Sequence, residues 1–259
     1  MLRTQSTTRF AAHLSQAILG MAVVAGLLAS SADVAAQTPR VFIDLNGGTQ
    51  ASTTDFADNV AFIEFVEEGD LTARHTIDTG LIVDASGGVV LGKGLAIGVG
   101  FTQFERRHDA SVDARVPHPF FFDQSRSVSG AARDLTRQER AVHLQLRWFA
   151  PLPGPIQLAL FAGPSFFSVE QDLVTAVSVT QSFPFDSASF DAAASRRHSK
   201  SETGYHVGAD VAVFFSRYVG VGGLVRLSRA SVDFTSEDGG RVPVDVGGVQ
   251  VGGGLRVRF

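Results

Sequence analysis

A short polar run in the C-terminal half carries the residue types of a hydrolase. His198, Ser199 and Glu202 supply a base, a hydroxyl nucleophile and a carboxylate close together in the chain. A serine becomes nucleophilic only when a histidine is held within hydrogen-bond distance of its hydroxyl and a third group orients that histidine. This run lies in or beside a long polar loop that would fix no such distances, and His206, the nearest histidine in a strand-like segment, has no serine at matching strand spacing. We therefore predict no catalytic residues and no enzyme.

A second group of residues has the chemistry of metal ligands. His108 and His118 lie near Asp109, Asp113 and Asp123 in one acidic stretch. Their spacing fits no recognised ligand pattern. The chain also has no cysteine, which excludes a thiolate site and a disulfide framework. The sequence predicts neither a metal nor a cofactor.

The elements that must position any site are β-strands. Eight segments alternate apolar and polar residues with a period of two, which is the pattern of a strand with one apolar and one polar face. The last segment shows it clearly, because Val249, Val251 and Leu255 alternate with Gln250 and Arg256. The predicted strands are residues 40–50, 79–91, 95–108, 136–149, 157–171, 203–216, 219–234 and 244–259.

The connections between these strands alternate in length. Residues 92–94, 150–156 and 217–218 are short turns, residues 235–243 are intermediate, and the long connections are residues 51–78, 109–135 and 172–202. Outer-membrane barrels have short periplasmic turns and long outer loops. The rhythm predicts an all-β, eight-stranded antiparallel up-and-down transmembrane β-barrel, in which loop 51–78 prolongs its hairpin above the membrane.

A soluble exported barrel with its apolar face inward is the alternative. Such a barrel would cover its outside with Lys, Glu and Thr, but this chain has only two lysines and places Gly, Ala and Ser on its non-apolar face. Glycine weakens an exposed strand, whereas small residues fit the narrow bore of an eight-stranded barrel. The composition therefore favours apolar residues that face lipid.

The N-terminus resembles a targeting segment. Arg3 and Arg9 precede an apolar run over residues 17–29, and small residues end at Ala36. This is the pattern of a cleaved signal peptide, and the apolar run is shorter than the ~20 residues that a membrane helix needs. We predict a signal peptide over residues 1–36 and a barrel domain over residues 37–259. The formal net charge of −4 argues against nucleic-acid binding.

Charged residues on the inward parity of the strands form the candidate site. Counting from a turn centred on Tyr218 places Asp210 opposite Arg226, and closure of the first strand on the last places Asp44 near Arg256 or Arg258. Paired charges in a narrow barrel predict a plugged lumen, and a polar conduit or gate is the alternative. The predicted lumen charge network comprises Asp44, Asp84, His143, Arg147, Asp210, Arg226, Arg256 and Arg258.

Aromatic residues are predicted to form belts at the two ends of the apolar band, as in membrane barrels. The belt at the short turns comprises Trp148, Phe149, Phe215, Tyr218 and Phe259, and the belt at the long loops comprises Phe104, Phe166, Phe167, Tyr205 and Phe234.

The chain resembles small eight-stranded outer-membrane proteins of the OmpA, OmpX and OmpW type. The resemblance rests on the leader, the eight-strand rhythm, the turn Gly92-Lys93-Gly94 and the aromatic C-terminus. It implies that Leu255, Val257 and Phe259 form the signal read by the barrel-assembly machinery. It leaves function open, because one fold supports several roles.

Three functions remain after these observations. The first is a structural or surface-interaction role in the outer membrane, with outer-membrane lipid as the surroundings. The second is a channel for small or amphipathic solutes, and the third is a lipid-modifying enzyme. The aromatic loop segments 117–122 and 183–190 either cover the barrel mouth as a lid or contact a solute or extracellular ligand.

Overall fold

The structure is a computed structural model that describes residues 40–236 and 239–259. The predicted signal peptide, residues 1–36, and the start of the barrel domain at residue 37 lie outside the described residues. Within the described ranges there is no helix that could span a bilayer.

In these ranges the chain forms ten β-strands. They are β1 (Val41–Gln50), β2 (Thr54–Glu64), β3 (Glu67–Ile77), β4 (Gly80–Gly92), β5 (Leu95–Pro117), β6 (Ser125–Phe149), β7 (Ile156–Gln181), β8 (Ala188–Phe214), β9 (Val219–Thr235) and β10 (Arg241–Arg258).

Eight of the strands close into a ring. Strands β1 and β4 to β10 pair with their neighbours in an antiparallel manner, and β1 closes the ring against β10. The backbone N–H groups of Arg40 and Val41 donate to the Phe259 carbonyl, so the closure includes the last residue. The predicted eight-stranded up-and-down barrel is confirmed, with one strand for each of the eight alternating segments.

The apolar faces of these strands point outward. Leu144, Leu160 and Val225 are exposed, as are the aliphatic residues beside them on every strand of the ring. The outward residues of β8 run from Tyr205 to Val213 and continue to Phe215 just after the strand, which is the length that a tilted strand needs to cross a bilayer. An aliphatic surface of this extent is unfavourable in water, so it is the lipid-facing band of a transmembrane barrel. The alternative, aliphatic rows packed in a closed interior, is wrong.

Beyond this band the alternation changes phase. On β5 the apolar residues Leu95, Ile97 and Val99 point outward, whereas Ala110 and Val112 point inward and are buried. The reversal occurs because the wall here faces water and must bury its apolar side chains in its own interior. Predicted loops 109–135 and 172–202 are therefore largely strands, which is a correction: β5 runs on to Pro117, β6 begins at Ser125, β7 ends at Gln181 and β8 begins at Ala188.

We call this part the outer extension; it consists of β2, β3 and residues 110–135 and 173–204. The β2–β3 hairpin joins it because Asp70–His75 pairs with Ala110–Arg115 of β5, beyond Gly80, where β4 begins. This agrees with the expectation that loop 51–78 prolongs its hairpin. Buried apolar residues fill the extension, among them Val60, Leu71, Val112, Val128 and Val174. The end of the barrel with the extension is the extension end, and the opposite end is the turn end.

The predicted aromatic belts are present in part. At the turn end, Trp148, Phe215, Tyr218 and Phe259 are exposed as predicted, and Phe149 is half-buried. At the extension end only Phe166 and Tyr205 face outward. The prediction is wrong for three members of that belt, which have the inward parity of their strands and are buried: Phe104, Phe167 and Phe234.

Candidate functional site

The inward face of the ring carries polar side chains that meet across the lumen. Small residues on neighbouring strands make room for them. At Gly208, for example, a Cβ atom would lie 2.5 Å from a ring atom of Phe161. A narrow barrel can hold large charged residues only if others in the same layer are small.

Four of the charges form one linked network. Arg147 lies 2.5 Å from Asp44, and Asp44 lies 3.6 Å from Arg256 on the adjacent strand. Arg256 also contacts Asp210 at 2.5 Å. All four side chains are buried, and buried ions are tolerated only when they are paired and hydrogen-bonded.

Asp84 and Arg226 form a second pair at 2.7 Å. Asn46 donates to one Asp84 oxygen, and Thr102 donates to the other. The Nε of Arg226 donates to Gln250. The two groups together contain three aspartates and three arginines, so the lumen charge of these six residues balances.

Histidines complete this layer. The Oγ of Ser165 lies 2.8 Å from His143 Nδ1 and 2.9 Å from His206 Nδ1, and the Nε2 of His143 lies 3.1 Å from Thr102 Oγ1. A serine between two histidines is a nucleophile–base arrangement in geometry. However, Ser165 is 0% exposed, so its hydroxyl is enclosed by the surrounding side chains.

The sequence reasoning missed Ser165. A serine at strand spacing from His206 would have to lie on the same strand, β8. Ser165 instead lies on the neighbouring strand β7, opposite His143 of β6. Ser165 occupies one of the alternate positions of its strand that point into the barrel, and this position is the signal that would have identified it.

Seven of the eight predicted lumen residues lie in this layer, and Arg258 does not. The Arg258 guanidinium lies 3.7 Å from the ring centroid of Phe214 at the turn end, and its Nε donates to the Arg217 carbonyl. Asp44 lies opposite Arg256 in the ladder, which is one of the two partners that the sequence left open. The predicted pairing of Asp210 with Arg226 is wrong, because the β8–β9 hairpin places Asp210 opposite Leu224.

Apolar layers lie on both sides of the polar layer. At the turn end Phe42, Phe161 and Phe214 are buried, and the Arg147 guanidinium lies 4.6 Å from the Phe42 ring centroid. At the extension end a cluster that includes Phe167 and Phe234 fills the barrel. The polar layer therefore lies between two layers of buried apolar side chains.

A smaller polar group lies where the outer extension meets the ring of eight strands. His75 Nδ1 lies 3.0 Å from His108 Nε2, and the His75 ring stacks on Phe56. Arg137 nearby donates to Glu139 at 2.6 Å, and Glu139 accepts the Gly247 N–H. Burial lowers the pKa of His75 to about 3, with smaller contributions from the neighbouring His108 and Arg137, and burial also lowers the pKa of His108. These histidines are therefore neutral at physiological pH.

The residues first considered for catalysis do not converge. His198 and Ser199 are adjacent in β8 and therefore point to opposite faces. Glu202 lies farther along β8, opposite Phe167 of β7.

The residues first considered as metal ligands are also separated. His118 accepts the Phe120 and Phe121 N–H groups, while Asp113 contacts Arg74 at 2.5 Å. In the described part of the chain, no group of three or more His, Asp or Glu residues is placed to hold a metal.

The C-terminal strand ends on the lipid-facing side. Leu255 and Phe259 are exposed on the outward face, and Val257 between them is half-buried. These three residues thus form one apolar row at the turn end of β10, beside the β1 seam.

No protein-family model matches the sequence, and no curated protein matches it. Among solved structures, the chain is similar to the outer membrane protein OprG from Pseudomonas aeruginosa, with 12% identity over 88% of this chain and 99% of that chain and a TM-score of 0.45. It is similar to Neisserial surface protein A, with 12% identity over 85% and 97% and a TM-score of 0.42. It is also similar to the outer membrane protease OmpT from Escherichia coli, with 10% identity over 88% and 100% and a TM-score of 0.48. At such low identity the likeness concerns the fold alone and assigns no activity.

Proposed function

We propose that this chain is an exported integral outer-membrane protein with a closed lumen and a structural or surface-interaction role. The lipid-facing band and the short turns at one end support insertion with the turn end toward the periplasm. The outer extension then projects from the cell surface as a rigid β-structure with its own apolar core.

The enclosed polar layer carries this proposal. A conducting pore needs a hydrated path, but three aspartates and three arginines here bind one another. Phe161 and Phe234 are buried in apolar layers on either side of these pairs, which supports a lumen without a continuous water path. Charge pairs in such surroundings fix a unique barrel interior rather than a route for solutes.

Conductance in planar bilayers tests this proposal. The refolded protein is first shown to be a barrel by its gel mobility with and without boiling, and a known porin refolded in the same way is the positive control. We expect no stable unitary current. Unitary currents that change on Asp84→Asn would instead establish a channel through the polar layer.

We further propose that the chain is not an enzyme and that Ser165 is structural. The Ser165 hydroxyl is enclosed and bonded to both histidines. A serine-reactive fluorophosphonate should therefore leave the folded barrel unlabelled. Labelling that disappears in Ser165→Ala would contradict this.

Outer-membrane lipid and the barrel-assembly machinery are the proposed partners in the envelope. The exposed row Leu255, Val257 and Phe259 supports the second, because it presents an apolar edge at the end of the closing strand.

A further inference from the structure

Three loop tips at the far end of the outer extension expose large apolar side chains. The β2–β3 turn exposes Ile63 and Val66, the β5–β6 loop exposes a run of three phenylalanines, and the β7–β8 loop exposes Phe183. Val66 is 89% exposed, Phe122 73% and Phe183 83%. We call these residues the crown: Ile63, Val66, Phe120, Phe121, Phe122 and Phe183.

The three tips are joined to one another. The Asp123 N–H donates to the Glu67 carboxylate at 2.6 Å, which links the second tip to the first. Arg126 donates to Gln181 and to the Phe185 carbonyl, and the Phe120 and Phe185 rings lie 5.5 Å apart, which links the second tip to the third. The crown is therefore a preorganised surface, which lowers the entropic cost of binding.

The backbone is strained at the first of the three tips. Phe65 and Val66 both have positive φ values, 50° and 68°, at the centre of the β2–β3 turn. Asparagine and glycine are favoured at these turn positions, and a β-branched residue there is unfavourable. Strain of this kind concentrates at sites of function.

Exposed charges within the three tip segments have one sign, and the exposed Arg115, two residues before the second segment, is paired with Asp70 at 2.8 Å. Within the tip segments 62–68, 117–126 and 181–188, the acidic residues are Glu64, Glu67, Glu68, Asp123 and Asp186, of which Glu68, Asp123 and Asp186 are exposed. The bases of the same segments, His118 and Arg126, are buried. The crown is thus an apolar patch with an acidic rim.

We propose that the crown binds a polypeptide whose apolar residues are flanked by lysine or arginine. Aromatic residues dominate the energetics of protein interfaces, and a complementary charged rim steers association. A bilayer is the poorer partner, because the three tips contain no Trp, Tyr or Lys and bury their one arginine, whereas proteins anchor at bilayer interfaces with those residue types. This inference rests on the proposed function, which places the crown at the cell surface.

The full mature chain, refolded into phosphatidylcholine nanodiscs, is titrated with a fluorescein-labelled peptide of Lys-Phe-Gly repeats. A peptide of Glu-Phe-Gly repeats and empty nanodiscs serve as controls. We expect saturable binding of the cationic peptide, weakened by raised salt, and no binding of the anionic one. Equal binding of both peptides, or of neither, would overturn the proposal.

Two variants and a control locate the site. We expect Val66→Asn with Phe122→Ser and Phe183→Ser to weaken binding about tenfold or more, as loss of central interface residues does. We expect Glu68→Lys with Asp186→Lys to weaken it through the rim, and Ser111→Lys, on the outside of the extension, to leave it unchanged. Unchanged binding by the triple variant would refute the crown as the site. Flotation of phosphatidylcholine vesicles with the wild-type chain, lost in the triple variant, would refute a polypeptide partner.

Gel mobility of each sample with and without boiling separates two kinds of failure. A sample without the mobility shift has no folded barrel, which would contradict the proposed function. A shifted, non-conducting barrel that does not bind the peptide would leave the proposed function intact and refute the crown alone.

Discussion

Replacing Asp84 by asparagine would leave the Arg226 guanidinium buried without its carboxylate. Both side chains are almost inaccessible, at 2% and 4% exposure, and they lie 2.7 Å apart. Removing one partner of such a pair costs about 3–5 kcal/mol, because the remaining charge stays desolvated. In a water-filled lumen the same pair would contribute only about 0–1 kcal/mol. The size of the effect therefore distinguishes a plug from a hydrated channel.

The assay is equilibrium urea unfolding in lipid vesicles, followed by the fraction of protein that retains the mobility of the folded barrel. We expect Asp84→Asn to lower the free energy of unfolding by about 3–5 kcal/mol. The double variant Asp84→Asn with Arg226→Gln should recover most of that loss, because it removes both charges. A loss below about 1 kcal/mol in the single variant, or no recovery in the double variant, would show that the pair is hydrated and would refute the closed lumen.

Three other outcomes follow from the geometry. Leu144→Arg, in the middle of the lipid-facing band, should lower the free energy of unfolding in vesicles by about 2–4 kcal/mol, whereas Ser127→Arg on the outer extension should change it by less than about 0.5 kcal/mol; equal costs would contradict the assigned band. The pKa of His75 is lowered to about 3, so the unfolded hairpin binds more protons below pH 6.5 and the resistance of β2–β3 to proteolysis should fall from pH 6.5 toward 3. The pKa of the adjacent His108 is also lowered by burial, so His75→Phe should reduce this dependence without abolishing it, and identical profiles of the variant and the wild type would contradict the role of His75. Phe259→Ala should reduce the fraction of expressed protein that reaches the membrane as folded barrel several-fold, with Phe122→Ala as the matched control; equal assembly of both would refute Phe259 as an assembly signal.

The eight strands of the ring were predictable because each must keep one continuous apolar face across the bilayer. Residues such as Val207 and Val211 of β8 satisfy that requirement locally, so a period of two identifies both the strand and its outward face. Closure of β1 on β10 then limits the partner of Asp44 to Arg256 or Arg258, and the ladder of the structure selects Arg256.

The residue that faces a given position across a hairpin was less predictable than the strands themselves. The β8–β9 ladder aligns Val213 with Val221, which centres the turn on Arg217 rather than Tyr218. That one-residue change moves the partner of Asp210 by two positions, and Arg226 binds Asp84 across the lumen instead. Register depends on turn geometry, which composition does not reveal.

The strands of the outer extension were not predicted, for a different reason. Its inward residues include alanines such as Ala110 and Ala114, and its outward residues include serines such as Ser111. The contrast between small apolar and small polar residues is weak, and its phase is opposite to that of the band. A search for one continuous apolar face therefore ends where the chain leaves the lipid.

Along β5 the apolar residues change from the outward to the inward face, so substitutions along this strand can locate the edge of the bilayer. Single substitutions to aspartate at the outward, odd-numbered positions of β5 would place the carboxylate in hydrocarbon at Ile97 and Val99 but in water at Ser111. The next odd position after Ser111 is already an aspartate, Asp113. The step in tolerance between these sites would mark the outer boundary of the bilayer on the molecule itself.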